Sequence, residues 1–177
     1  MGVGEMTMES YFSGKWSDSS LDVYPYSGWS LVEKVNAMNP DRVLDVGCGF
    51  NRFKDKINNL KGIDPYNDAA DVKISLEQYD GPTVDVALCL GSINFGDEET
   101  IDHQIDILDR IWTKKAFFRV NPGIQHSWSN EWNGIEWYKW TKDKLYSIVE
   151  EYKYTVDEFQ IEHTVQGHER YYFELSK

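Results

Sequence analysis

The chain has 177 residues, of which 41% are hydrophobic and 15% aromatic, with a formal net charge of -12. That length and apolar content suit one folded domain and exclude a disordered chain, while no apolar run approaches the ~20 residues of a membrane span and Met1 to Ser20 lacks a basic start followed by an apolar stretch, so neither a membrane span nor a signal peptide is expected. The charge argues against nucleic acid as a partner, since a polyanion is held by neutralising its phosphates, and the two cysteines, Cys48 and Cys89, have no CxxC spacing, which excludes a disulfide framework and fits a cytoplasmic setting.

In chain order, the residues before Ser27 form an amino-terminal arm (1–26), and 27–177 is one domain. Ser27 to Met38 places Leu31, Val32, Val35 and Met38 at helical spacing, and Asn39-Pro40 ends that helix. Arg42 to Val46 is a short apolar strand closed by Gly47. Lys61 to Ile63 repeats the pattern before Asp64-Pro65, with the polar stretch Arg52 to Asn59 expected as a helix between them. A weaker third strand covers Val72 to Ser75, and Val84 to Leu90, the most continuous apolar run, is expected as a central strand covered on both faces.

Glu98 to Trp112 carries Ile101, Ile105, Leu108 and Ile111 on one stripe, with acids in its first turn where the helix dipole favours them. Ala116 to Val120 is a fifth strand stopped by Asn121-Pro122-Gly123, and Thr141 can cap a helix running through Tyr152. Val156 to His163 and Arg170 to Leu175, joined at Gln166-Gly167, form a closing hairpin. This alternation predicts an α/β fold, a Rossmann-like three-layer sandwich. Its mainly parallel seven-stranded sheet ends in an antiparallel carboxyl-terminal hairpin, and its ligand binds at the carboxyl ends of the strands.

The turn Asp45-Val46-Gly47-Cys48-Gly49-Phe50-Asn51 sits at that end, and its glycines allow the backbone to approach a ligand closely. Only Gly47 and Gly49 are present, with Arg52 where the third glycine of a dinucleotide site would fall, which disfavours nicotinamide binding. Asp45 ends an apolar strand, a costly place for a carboxylate unless it accepts hydrogen bonds. Asp64 ends the second strand, where a carboxylate can accept both hydroxyls of a ribose.

With these residues the chain resembles the class I S-adenosylmethionine-dependent methyltransferases: VLDVGCGFN (Val43 to Asn51) is similar to the family's first motif, GIDPY (Gly62 to Tyr66) to its second, and VDVALCLGSINF (Val84 to Phe95) to its fourth strand and following loop. The resemblance implies S-adenosylmethionine as cofactor, with Asp45, Gly47, Cys48 and Gly49 around its methionine part and Asp64 on the ribose. It further implies Pro65 and Tyr66 beside the adenine, Ser75 and Leu76 at the adenine edge, and Leu90, Gly91 and Ser92 toward the substrate. Asn51 stands where the family usually has a third glycine.

The loop Leu90 to Phe95 lacks both the Pro-Pro-aromatic and the Pro-Cys sequences of base methyltransferases, so the expected acceptor is a small molecule or a protein. The aromatic stretch Trp128, Trp132, Trp137, Tyr138 and Trp140 and the arm residues Tyr11, Phe12, Trp16, Tyr24 and Tyr26 are expected either to cover that acceptor, the arm acting as a lid, or to pack on the sheet. His126, after the fifth strand, is the expected general base, and no histidine spacing forms a metal site. Two other readings stay open: a binding or regulatory domain without turnover, and an enzyme that cleaves the cofactor or moves its aminopropyl group.

Overall fold

The computed structural model describes residues 7–15, 20–122 and 135–177. A short helix α1 (Met8–Ser10), capped by Thr7, continues as a π-type turn through Lys15. Helix α2 (Ser30–Asn36) leads into strand β1 (Val43–Val46), followed by β2 (Leu60–Ile63), β3 (Val84–Leu90), helix α3 (Glu98–Ile111), β4 (Trp112–Val120), helix α4 (Lys142–Tyr152), β5 (Thr155–His163) and β6 (Glu169–Ser176). The strands form one sheet in the order β2-β1-β3-β4-β6-β5. The β1–β2, β1–β3 and β3–β4 pairs are parallel, and β6 lies antiparallel between β4 and β5.

Side chains of β3 and β4 alternate between two cores, as a doubly covered strand requires. Ala87, Cys89, Ala116, Phe118 and Val120 pack with Ile101, Ile105 and Leu108 of α3 and Leu145 and Ile148 of α4. Val86, Leu88 and Phe117 face the other way, onto Leu31 and Val35 of α2 with Leu21, Phe53 and Ile57. Helices on both faces make the three layers expected. The central place of β3, the acidic start of α3 and the closing hairpin also match the sequence reading. So does the Thr141 cap, whose side chain accepts the Lys144 N–H at 3.0 Å.

Three expectations are corrected. The sheet has six strands among the described residues, not seven, because the stretch from Val72 to Ser75 makes only one bridge, Ile63 to Val72, before Ser75 opens a 3-10 turn (Leu76–Gln78). The stretch from Arg52 to Asn59 is a run of turns and not a helix. Asn51, Asp55 and Asn59 adopt left-handed backbone (φ +57°, +63° and +59°), a conformation that Asn and Asp reach more cheaply than other side chains and that interrupts helical bonding. The bonds that remain are mostly of the tighter kind, such as Lys54 N–H to Asn51 O and Lys56 N–H to Phe53 O. Strand β4 also begins earlier than expected, at Trp112, directly after α3.

Candidate functional site

The carboxyl ends of β1, β2 and β3 meet at the turn after β1. Gly47 and Gly49 both hold left-handed backbone, φ +68° and +56°. A Cβ on Gly47 would come within 2.5 Å of the Ser92 Cβ, so a hydrogen is all that position admits. The Ser92 hydroxyl beside it is buried and has no partner among the described residues. An unsatisfied buried hydroxyl is costly, and here it faces the glycine turn.

Asp64 locks that turn. One carboxylate oxygen accepts the Gly49 N–H at 3.0 Å, and the other accepts the Tyr66 and Asn67 N–H groups at 2.8 and 3.0 Å. Three donors occupy three of about four lone-pair positions and leave one for a ligand. Asp45 is 4% exposed at the end of β1. Burial and the nearby charges of Asp45, Asp64 and Asp71 push the Cys48 thiol well above its usual range, so Cys48 is a neutral thiol and not a nucleophile. Burial and then Asp45 do the same to Cys89. Burial and Asp64 raise the Tyr66 phenol as well. The turn is therefore a region of negative potential, suited to a cationic ligand group.

A network invisible in the sequence supports the turn from below. Asp71 accepts the Gly62 N–H at 2.7 Å and the Asn51 Nδ2 at 3.2 Å, and pairs with Lys54 Nζ at 2.8 Å. Burial works to raise its carboxyl, but these donors hold it below the usual range. The Asn51 carboxamide lies over Gly62, where a Cβ would meet its Oδ1 at 2.4 Å and the Cys48 Sγ at 2.8 Å.

The loop after β3 is fixed through Ile93 and Asn94. Asn94 Oδ1 accepts the Asn121 N–H at 2.9 Å, the Asn94 carbonyl accepts the Tyr138 N–H at 2.7 Å, and Trp140 Nε1 donates to the Ile93 carbonyl at 2.7 Å. These bonds tie Ile93 and Asn94, the residues after Gly91 and Ser92, to the segment that follows β4. Of the aromatic residues expected over an acceptor, Trp140 is 1% exposed and belongs to the core, whereas Trp137 packs on Phe95 with ring centroids 4.5 Å apart. From the arm, Phe12 lies nearly parallel to Tyr66 at 6.1 Å and meets Phe95 edge-on at 5.3 Å, while Tyr24 is buried and Tyr26 stacks on Tyr172.

Thus Asp45, Gly47, Cys48, Gly49, Asp64, Pro65, Tyr66, Gly91 and Ser92 gather at the strand ends. Leu90 packs partly against the α2-side core. Ser75 instead spends its N–H and hydroxyl on Gln78 Oε1, and the Leu76 side chain is buried in the α3-side core. His126, Trp128, Trp132 and Trp16 lie outside the described residues. Among the described residues no group of histidine, cysteine and carboxylate side chains could hold a metal, and no helix is long and apolar enough to cross a membrane. Sequence reasoning missed Asp71, Phe12 as the partner of Tyr66, and Arg119, whose guanidinium lies over Tyr24.

No protein-family model and no curated protein matches this sequence. Solved structures do. A 1,6-didemethyltoxoflavin-N1-methyltransferase from Burkholderia thailandensis, crystallised with its 1,6-didemethyltoxoflavin and S-adenosylhomocysteine, superposes with a TM-score of 0.69 at 15% identity over 95% of this chain and 84% of that one. Magnesium protoporphyrin IX methyltransferase from Synechocystis PCC 6803, with bound S-adenosylmethionine, gives 0.66 at 14% identity over 84% and 76%. The [4+2]-cyclase SpnF gives 0.61 at 11% identity over 84% and 78%, so the same architecture also carries other chemistry. The chain has the fold of the class I S-adenosylmethionine-dependent methyltransferases.

Proposed function

We propose that the chain is an S-adenosylmethionine-dependent methyltransferase acting on a small molecule. The observation that carries this reading is the pair of left-handed glycines, Gly49 bonded to Asp64 and Gly47 packed against Ser92 with its buried, unpartnered hydroxyl. The site fits such a ligand: a cradle that a single Cβ would fill, an acceptor position left on Asp64, and carboxylates around a place where a sulfonium would sit.

When bound, the cofactor supplies a methyl group on a positively charged sulfur. The protein's own work is then alignment and exclusion of water. In this reading Asp45, Gly47, Cys48 and Gly49 surround the methionine part, and Asp64 accepts the ribose hydroxyls, one of its loop amides yielding as it does so. Pro65 and Tyr66 flank the adenine, the backbone at Ser75 and Leu76 borders its edge, and Leu90, Gly91 and Ser92 face the acceptor. Phe12 carries the arm onto Tyr66 and Phe95, where it serves as a lid. His126 is kept as the general base on sequence grounds alone.

A small-molecule acceptor is favoured because the structural relatives named above act on compounds of that size. Asn51 in place of a third glycine and the loop Leu90 to Phe95 without a known acceptor motif give a second reading, a binding domain without turnover. Calorimetric titration of S-adenosylmethionine and S-adenosylhomocysteine tests both. Micromolar binding is expected, weakened roughly tenfold to a hundredfold by Asp64→Ala and by Asp45→Ala, the cost of a lost charge-assisted hydrogen bond. Absence of binding at millimolar ligand sinks the reading, and binding with no methylated product across an acceptor screen selects the domain without turnover.

A further inference from the structure

Arg119 is the one charged residue in the stretch from Ala116 to Val120 of β4. By strand alternation it lies on the same face as Phe117, toward α2, at the carboxyl end of the strand. Its Nη1 donates to the Ser27 hydroxyl at 3.2 Å and the Ser27 carbonyl at 3.5 Å, its Nη2 donates to the Leu90 carbonyl at 3.4 Å, and the guanidinium lies 4.2 Å over the Tyr24 ring. Every one of these acceptors is neutral and every bond is long. Among the described residues no carboxylate forms an ion pair with Arg119.

The nearby buried acid is Glu162, 1% exposed. Its carboxylate is taken by the Tyr26 N–H at 2.6 Å, the Ser27 N–H at 2.8 Å and the Ser27 hydroxyl, so it reaches Arg119 only through that hydroxyl. A second cation, Arg170, adjoins the same tyrosine. Burial pushes its guanidinium down, Tyr24 works against that, and Arg119 adds to the lowering. Two guanidiniums flank Tyr24, while the one buried carboxylate beside them is engaged by a turn. At this spot the Arg119 guanidinium rests on neutral acceptors alone, in a chain of net charge -12.

The spot adjoins the proposed site. The nearest atom to a Cβ built on Gly91 is Arg119 Nη2, at 3.8 Å. A half-buried guanidinium with long neutral bonds is poorly compensated, and its planar fork matches a carboxylate or phosphate group bidentately. We propose that Arg119 receives an oxyanion carried by the methyl acceptor. The acceptor, and not the cofactor's own carboxylate, is assigned because β3 separates β4 from β1. That places Arg119 about 10 Å across the sheet from the glycine turn, at roughly 5 Å per strand. This assignment rests on the methyltransferase reading.

The test compares wild type with Arg119→Gln and Arg119→Lys, with thermal midpoints to confirm folding. Benzoate and inorganic phosphate are titrated into each protein, with and without saturating S-adenosylhomocysteine. S-adenosylhomocysteine and 5′-methylthioadenosine, which lacks the amino-acid carboxylate, are titrated separately. The expected result is millimolar binding of benzoate or phosphate to wild type, weakened at least ~10-fold in Arg119→Gln and less in Arg119→Lys, with S-adenosylhomocysteine affinity unchanged in both. Equal anion binding by wild type and Arg119→Gln overturns the proposal. So does a loss of S-adenosylhomocysteine affinity in Arg119→Gln that 5′-methylthioadenosine does not share, which would assign the anion to the cofactor. Failure of both nucleosides to bind wild type is a failure of the methyltransferase reading, and the anion titrations on ligand-free protein still decide whether Arg119 is an oxyanion site.

Discussion

Asn51 holds a left-handed backbone at φ +57° in a position that glycine would fill without strain, its Nδ2 donating to both Asp71 and the Ala69 carbonyl. Its carboxamide Oδ1 is buried without a donor among the described residues, so the arrangement carries a cost that the Asp71 network must offset. Removing the carboxylate by Asp71→Ala frees the Gly62 N–H and leaves the Asn51 Nδ2 on the Ala69 carbonyl and Lys54 on the Leu60 carbonyl. S-adenosylhomocysteine affinity is expected to fall about tenfold, the size of one lost charge-assisted bond. Asn51→Gly should leave affinity within about threefold of wild type, and in that background Asp71→Ala should cost measurably less, a coupling that a double-mutant cycle by calorimetry reads directly. Equal losses in the two backgrounds would show that Asp71 does not act through Asn51. Gly47→Ala allows no such rescue. The Cβ has nowhere to go beside Ser92, and the variant should lose both ligand binding and several degrees of thermal stability.

The elements separate what periodicity reveals from what it hides. Helix α3 and strand β3 were legible because long stripes of Ile, Leu and Val at one spacing admit one structure. The stretch after Gly49 misled because its polar residues look helical in pattern, while Asn and Asp at 51, 55 and 59 take positive φ and break it into turns. The third strand shrank to one bridge because the Ser75 and Gln78 side chains begin a capped turn at once. Asp71 gave no signal at all, since its three donors come together only in space. Arg119 did give one, as a lone charge among Ala116, Phe117, Phe118 and Val120, a pattern that deserves the suspicion given to Asp45. Helix α4 shows how local rules set stability. It starts on the Thr141 cap and ends on Lys153 at φ +59°. Thr141→Ala should cost about 1 kcal/mol, and Lys153→Gly should add about 0.5 to 1 kcal/mol by relieving the left-handed strain. Each change shifts the melting temperature by a few degrees in opposite directions, measurable by circular dichroism.

At the scale of the whole molecule, one buried carboxylate ties helix α2 to the sheet. Glu174 on β6 is 1% exposed and is gripped by Lys34 from α2, by Lys115 from β4 at 2.7 Å, and by the Tyr172 hydroxyl. Burial acts to raise its pKa, but the hydrogen bonds from Lys115, Lys34 and Tyr172 override it and bring it from 4.5 to about 2. Because the folded value lies below the unfolded one, the stabilisation is complete above about pH 4.5 and is lost as the pH falls toward 2. Urea midpoints of wild type should therefore decline through that window, and Glu174→Gln should be less stable at neutral pH with a shallower decline. Identical acid profiles for the two proteins would remove Glu174 from that role.

The junction between α3 and β4 has no connecting residue. Trp112 donates its N–H to the Leu108 carbonyl as the last act of the helix and pairs with Val84 as the first of the strand. A single residue inserted there would turn every side chain of β4 to the opposite face, sending Phe118 out of its core and Arg119 into it. Gly167, at φ +85° with nothing within 4 Å of a built Cβ, closes the β5–β6 hairpin in open solvent. Length changes in descendants of this sequence should thus accumulate around Gly167 and be absent between Ile111 and Trp112, and an epitope tag or a new pair of termini belongs in the hairpin turn.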